Sequence, residues 1–150
     1  MEDCIFCKIV KGQIPSHKIY EDEEFLAFLD IYPNTKGMAL VIPKKHYPSY
    51  VFKMPEDVYE RLMKIVNKIA KTIDQVLGVK RTAMVMEGMG VDHAHIKLYP
   101  LHGLEQDFKE MWADEKVFFE KYEGYLTTKI GPRMDDEKLA EVAKKLRDGF

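Results

Sequence analysis

The chain has 150 residues, 46% of them hydrophobic and 32% charged, with a formal net charge of −2. That length suits one domain able to bury a sizeable core, the composition excludes a disordered chain, and the near-balanced charge excludes the broad basic surface that a nucleic-acid partner requires. No apolar run nears the ~18 residues of a membrane span and no signal-peptide pattern opens the sequence, so a cytoplasmic protein with no membrane partner is expected.

The first segment, "DCIFCKIVKGQIP", predicts a short helix with Asp3 as its cap and Gly12 past its end. Cys4 and Cys7 are three apart, which puts both on one helical face. In the cytoplasm such thiols serve as metal ligands or free thiols more often than as a disulfide. A thioredoxin-type pair belongs after a strand, and no strand precedes this one. "HKIYEDEEFLAFLDI" predicts two strands around an acidic turn from Glu21 to Glu24. "GMALVIPKK" predicts a third strand, closed by Pro43, with His46 in the loop that follows.

From Pro55 to Leu77 the apolar residues Val58, Leu62, Ile65, Val66, Ile69, Ile73, Val76 and Leu77 recur at helical spacing. Glu56 and Asp57 open this helix and Gly78 ends it. "RTAMVME" and "DHAHIKLYP" predict two further strands joined by a tight turn at Gly88-Met89-Gly90. On a strand His93, His95 and Lys97 share one side. The tail suggests a helix from Asp114 to Lys121, a strand "GYLTTKI" and a last helix from Asp136 to Arg147.

There are no repeats and no low-complexity linker. The expected fold is α+β, a single antiparallel sheet with the long helix on one face and His93 with its neighbours on the other. Residues 1–103 form the domain, and 104–150 are a C-terminal extension packed on it.

Two imidazoles and an ammonium in a row repel one another unless a phosphate or a metal ion sits among them. Two thiolates supply half of a tetrahedral zinc site, and histidines are the natural source of the rest. The candidates are His17, His46, His93, His95 and His102. His17 and His102 lie beside turn residues and are given no role.

Taken together, "CIFCKIVKGQIP", "YEDEEFLAFLDIYPNTKGMALVIPKKH" and "HAHIKLYP", in that order, resemble the histidine triad (HIT) superfamily, and within it the Hint-like and bacterial or archaeal HIT proteins. The resemblance covers about Cys4 to Leu101. It implies a homodimer sharing one continuous sheet, with a nucleotide pocket on each subunit. It also implies chemistry at the α-phosphate of a nucleoside monophosphate ester, amide or anhydride, such as an AMP or GMP conjugate.

By position His95 matches the nucleophile that forms a nucleotidyl-histidine intermediate. Asp30 matches the aspartate that accepts hydrogen bonds from both ribose hydroxyls. Ile5, Phe6, Ile9, Phe28 and Ile31 match the purine sandwich. In zinc-containing members of this branch the metal ligands correspond to Cys4, Cys7, His46 and His93, a closed structural site.

The sequence departs from the family pattern before and within the triad. Where G-Q-S-V is usual it reads Gly88-Met89-Gly90-Val91, and Lys97 replaces the third histidine. An ammonium can neutralise phosphate charge but is a poor general acid at pH 7. Backbone N–H groups at Gly88 and Gly90 are expected to form a small anion nest in place of the missing hydroxyl. The alternative to an enzyme is a zinc-stabilised nucleotide-binding module with little turnover. A catalytic-metal reading of His-x-His, as in cupins, lacks the glutamate that should follow.

Overall fold

A computed structural model of the protein describes residues 3–127 and residue 137. The chain divides into two compact units, Met1–Phe108 and Lys109–Phe150. The first holds a five-stranded sheet ordered β1-β2-β3-β5-β4, with every neighbouring pair antiparallel.

Strands β1 (Lys18–Glu21) and β2 (Phe25–Leu29) form a hairpin. Its turn is closed by Asp22, whose Oδ1 accepts from the backbone N–H of Glu24 at 2.8 Å and of Phe25 at 2.7 Å. Strand β3 (Ala39–Pro43) pairs along the whole of β2, from Phe25 opposite Pro43 to Leu29 opposite Ala39. Helix α2 (Glu56–Leu77) then carries the chain across the sheet. Glu56 and Asp57 stand in its first turn, where the helix dipole favours negative charge. Gly78 ends it in the left-handed conformation at φ +64°, with the N–H of Val79 donating to Asp74 O at 3.0 Å. Strand β4 (Thr82–Val85) lies at the sheet edge, and β5 (Ile96–Pro100) runs between β3 and β4.

Period-two alternation sends these strands' residues to two different cores. Ala27, Ala39, Val41, Ile96 and Leu98 pack with Val58, Leu62, Val66, Ile69 and Ile73 of α2. Leu26, Phe28, Leu40 and Ile42 pack on the other face with Phe6 and Ile9 of helix α1 (Ile5–Val10). Strands β2 and β3 are thus covered on both sides, which explains why "FLAFL" and "ALVIP" are unbroken apolar runs.

Several expectations need correction. Cys4, not Asp3, caps α1, with extended backbone and no side-chain capping bond. The link between β4 and β5 is not a tight turn but residues 86–95, and β5 begins only at Ile96. His93 and His95 therefore precede the ladder. The N–H of His93 turns back to Val91 O and that of Ala94 goes to Tyr47 O, both at 2.8 Å, so neither is free for a strand partner. The alternation survives all the same, because Ala94 joins the α2 core while both imidazoles face Phe6.

No helix forms over Asp114–Lys121. None of residues 105–127 is buried, and a short helix without an apolar face to bury is unstable in water. Of "GYLTTKI", residues 124–127 are not strand, and the rest lies outside the described residues. So does the helix expected over Asp136–Arg147, apart from Glu137, which is helical. No helix among the described residues is long and apolar enough to cross a membrane.

Candidate functional site

Two sites meet at α1. In the first, Cys4 at the N-cap and Cys7 in the opening turn place their sulfurs beside His46, from the loop after β3, and His93, from the loop before β5. The four ligand atoms all lie within 4.8 Å of one another. Cys4 Sγ is 3.4 Å and Cys7 Sγ 3.6 Å from His93 Nδ1, and Cys7 Sγ is 3.4 Å from His46 Nδ1. A tetrahedral ion with metal–sulfur and metal–nitrogen bonds of about 2.3 and 2.0 Å gives sulfur–nitrogen edges of about 3.5 Å. The observed spacings fit those edges, so the set is placed to hold a metal ion.

Surrounding groups orient the ligands. His93 is fully buried, and its Nε2 lies 2.8 Å from Pro43 O. A carbonyl only accepts, so Nε2 carries the proton and Nδ1 turns its lone pair to the sulfurs. Burial first, then the charges of His46 and His95, hold His93 below the usual histidine range, the neutral form that a metal needs. Burial likewise pushes the Cys7 thiol up, helped by the hydrogen bond with Cys4. The loops carrying His46 and His93 are pinned together by Asp92, whose Oδ1 accepts from the N–H of Ser49 at 2.8 Å. That bond holds the Asp92 carboxyl below its ordinary value.

The second site is a cleft of about 260 Å³ between α1 and the ends of β2, β3 and β5. Its apolar end is lined by Ile5, Phe6, Ile9, Ile14, Phe28 and Leu40, and its polar end by Asp30, His95 and Lys97, with Gly90 and Val91 beside them. Phe28, Leu40 and Lys97 occupy one cross-strand row, which brings the aromatic wall and the cation to one surface. Lys97 lies on an interior strand, so it does not blunt a sheet edge.

His95 is buried, and its Nδ1 lies 2.7 Å from His93 O. The same acceptor argument puts the proton on Nδ1 and leaves Nε2 with a lone pair. Burial is the largest influence on this imidazole and holds it below the usual range; the His93 carbonyl opposes and the Lys97 charge adds. The Asp30 Oδ1 accepts from the N–H of Tyr32 at 2.8 Å, which steadies the carboxylate at the cleft.

Of the residues singled out from sequence, Ile5, Phe6, Ile9, Phe28, Asp30, Ile31, Gly90, His95 and Lys97 line this one cleft. Gly88 does not. At φ +77° it packs against Ser49, where a Cβ would come within 2.9 Å of the Ser49 main-chain oxygen.

Ile14, Ser16, Tyr32, Leu40 and Val91 also line the cleft and were not anticipated. For Leu40 a signal existed, since it alternates with Ile42. For Pro43 there was none, because a main-chain carbonyl leaves no mark on residue type. A wider apolar hollow of about 390 Å³ between α2 and the β1–β2 side holds neither histidine nor carboxylate.

Residues 11–103 match the family model described as HIT domain. The chain is 40% identical over 116 residues to the protein named Protein hit of Bacillus subtilis, covering 74% of this chain and 79% of that one. It is 34% identical over 119 residues to adenosine 5'-monophosphoramidase HNT1 of Saccharomyces cerevisiae, covering 79% of this chain and 75% of the relative. The crystal structure of a HIT family member from Bacillus subtilis superposes with a TM-score of 0.69 at 31% identity, covering 99% of this chain and 97% of that one.

Proposed function

The chain belongs to the HIT family, and from that membership we propose that it is a nucleotide hydrolase or transferase acting at the α-phosphate of a nucleoside monophosphate ester, anhydride or amide. The observation that carries this reading is the His95 imidazole, its tautomer set by the His93 carbonyl at 2.7 Å, in a cleft whose other polar groups include Asp30 and Lys97. The monophosphoramidase name of the yeast relative supports it.

A purine fits the apolar end, between Phe6, Ile9 and Phe28. The Asp30 carboxylate accepts from the ribose hydroxyls, and Lys97 neutralises phosphate charge. The lone pair of His95 Nε2 forms a bond to phosphorus. The bond from phosphorus to the leaving oxygen or nitrogen breaks, its electron pair departs with that group, and a leaving nitrogen takes up a proton from water. Positive charge on the nucleotidyl-imidazole is stabilised by the His93 carbonyl through Nδ1–H. Water then attacks phosphorus, the N–P bond breaks with its pair returning to Nε2, and the nucleoside monophosphate leaves with one proton released.

The metal of the Cys4, Cys7, His46, His93 set is zinc in this reading, a choice that rests on the two-sulfur, two-nitrogen donor set. Bound there it ties α1 to the sheet, with all four positions filled by protein. A homodimer goes with the family, and β4 offers the edge along which a second copy would extend the sheet.

A hydrolysis screen tests the reading, using an adenosine phosphoramidate, a dinucleoside polyphosphate and an acyl-adenylate with purine and pyrimidine variants. AMP or GMP release that disappears in His95→Ala is the expected result. Tight nucleotide binding without release would favour the second reading, a nucleotide-binding module, which the replacement of the third histidine by Lys97 keeps in view.

A further inference from the structure

We propose that α1 and His93 couple the metal set to the cleft, so that metal and nucleotide each bind more tightly when the other is in place; this rests on reading the cleft as a nucleotide site.

Helix α1 has six residues, no side-chain capping bond and no acidic residue in its first turn. Helices this short do not persist in water on their own. Two things hold it: the metal set, through Cys4 and Cys7, and the packing of Phe6 and Ile9 on Phe28, Leu40 and Ile42. The same residues do both jobs. Phe6 lies between the two cysteines in sequence, and its ring meets the His93 ring edge-on at 5.8 Å, the His95 ring at 5.4 Å and the Phe28 ring at 5.8 Å. Ile5, Phe6 and Ile9 wall the apolar end of the cleft.

His93 supplies a second route. Its ring nitrogen Nδ1 faces the sulfurs while its main-chain oxygen accepts from His95 Nδ1. With a metal bound, the ring is held from both sides, by the ion at Nδ1 and by Pro43 O at Nε2. Without one, Nδ1 keeps only its weak contacts with the two sulfurs at 3.4 and 3.6 Å beside the Pro43 bond, and the carbonyl that orients His95 is less firmly placed. Metal release therefore loosens the wall that grips the base and the carbonyl that aims the nucleophile. By linkage a nucleotide wedged against Phe6 must tighten the metal set by the same factor.

Two titrations test this on the intact protein. AMP affinity is measured by calorimetry on zinc-loaded and chelator-stripped protein. Zinc affinity is measured by competition with a chromophoric chelator, with and without saturating AMP. Zinc should tighten AMP at least five-fold, and AMP should tighten zinc by an equal factor. Far-ultraviolet circular dichroism of the stripped protein should retain the signal of the long helix, showing that the loosening is local. Phe6→Leu, which keeps all four ligands, should still bind zinc but with both factors moved toward one.

Equal AMP affinity with and without zinc, global unfolding on stripping, or an undiminished factor in Phe6→Leu would each overturn the coupling. Failure of the zinc-loaded protein to bind AMP at all would instead sink the nucleotide reading of the cleft, and the coupling with it. Failure to bind zinc would remove the metal end.

Discussion

Leu40 and Lys97 are register partners on β3 and β5, so the apolar floor of the cleft and its ammonium stand side by side on one sheet surface. The ladder fixes the Lys97 main chain beside Leu40, so its side chain starts from the wall of the cleft. Lys97→Ala should lower kcat/KM by about ten- to a thousand-fold, the range for losing one contact to developing charge. Lys97→His should restore part of the rate and widen the leaving groups accepted, since imidazole can also give a proton. Steady-state kinetics on polyphosphate and phosphoramidate substrates reads both effects, and an unchanged Lys97→Ala enzyme would remove Lys97 from the mechanism.

Asp30 should make the site demand a ribose. One charge-assisted hydrogen bond contributes roughly 1.5–3 kcal/mol, about ten- to a hundred-fold in affinity. AMP should bind more tightly than its 2',3'-dideoxy analogue by that factor, and Asp30→Asn should narrow the gap. Equal affinities for the two nucleotides in the unaltered protein would show that the carboxylate meets no ribose.

Elemental analysis should find one zinc per chain in desalted protein, and Cys7→Ser should lose it. Losing a structural ion that joins three segments should also lower the unfolding temperature. Full zinc content in Cys7→Ser would mean that the ion sits elsewhere.

Glu21 offers a pH test away from the site. Its hydrogen bonds to Lys18 and then to Lys44 lower its carboxyl to about 2, well below the ordinary glutamate value. A depressed folded value means the contribution is complete above the unfolded value and is lost as pH falls toward 2. Glu21→Gln should therefore lower the melting temperature slightly near pH 6 and hardly at all near pH 2. Both side chains of each pair are partly exposed, so the effect should also shrink in high salt.

The α2 core should respond as a packed interior. Leu62 is fully buried beneath the sheet, and Leu62→Ala should cost about 2–5 kcal/mol by denaturant unfolding. A loss below 1 kcal/mol would mean that the interface between α2 and the sheet relaxes far more than its contacts suggest.

What the sequence revealed depended on whether a feature was local. The spacing of Val58, Leu62, Val66, Ile69 and Ile73, with Gly78 behind, marks α2 because helix periodicity and its stop signal lie within one segment. The alternation of His93, His95 and Lys97 likewise predicted a shared face, although the ladder starts later than alternation implied. The start of β5 was illegible because it depends on Ala94 N–H reaching Tyr47 O, a partner distant in the chain. Equally hidden was the Pro43 carbonyl behind His93, since any residue would supply it. The helix expected near Asp114 failed for the opposite reason. Its local pattern was plausible, but Trp112 and Phe118 remain exposed and no buried face supports a helix.

The strand order has a consequence for how the molecule is made. Among the described residues β5 is the last strand to leave the ribosome, yet it belongs in the middle, between β3 and β4. Until it arrives, Ala39–Pro43 presents five apolar residues with one row of hydrogen-bonding groups unpaired, an invitation to foreign strands. Pairing Val41 with Ile96 also closes a long loop, which slows the step. Lys97 and the segment carrying His95 therefore reach the cleft only in a late folding event. A nascent or truncated chain ending before β5 would carry a half-sheet with an unpaired apolar edge and would lack Lys97 of the cleft.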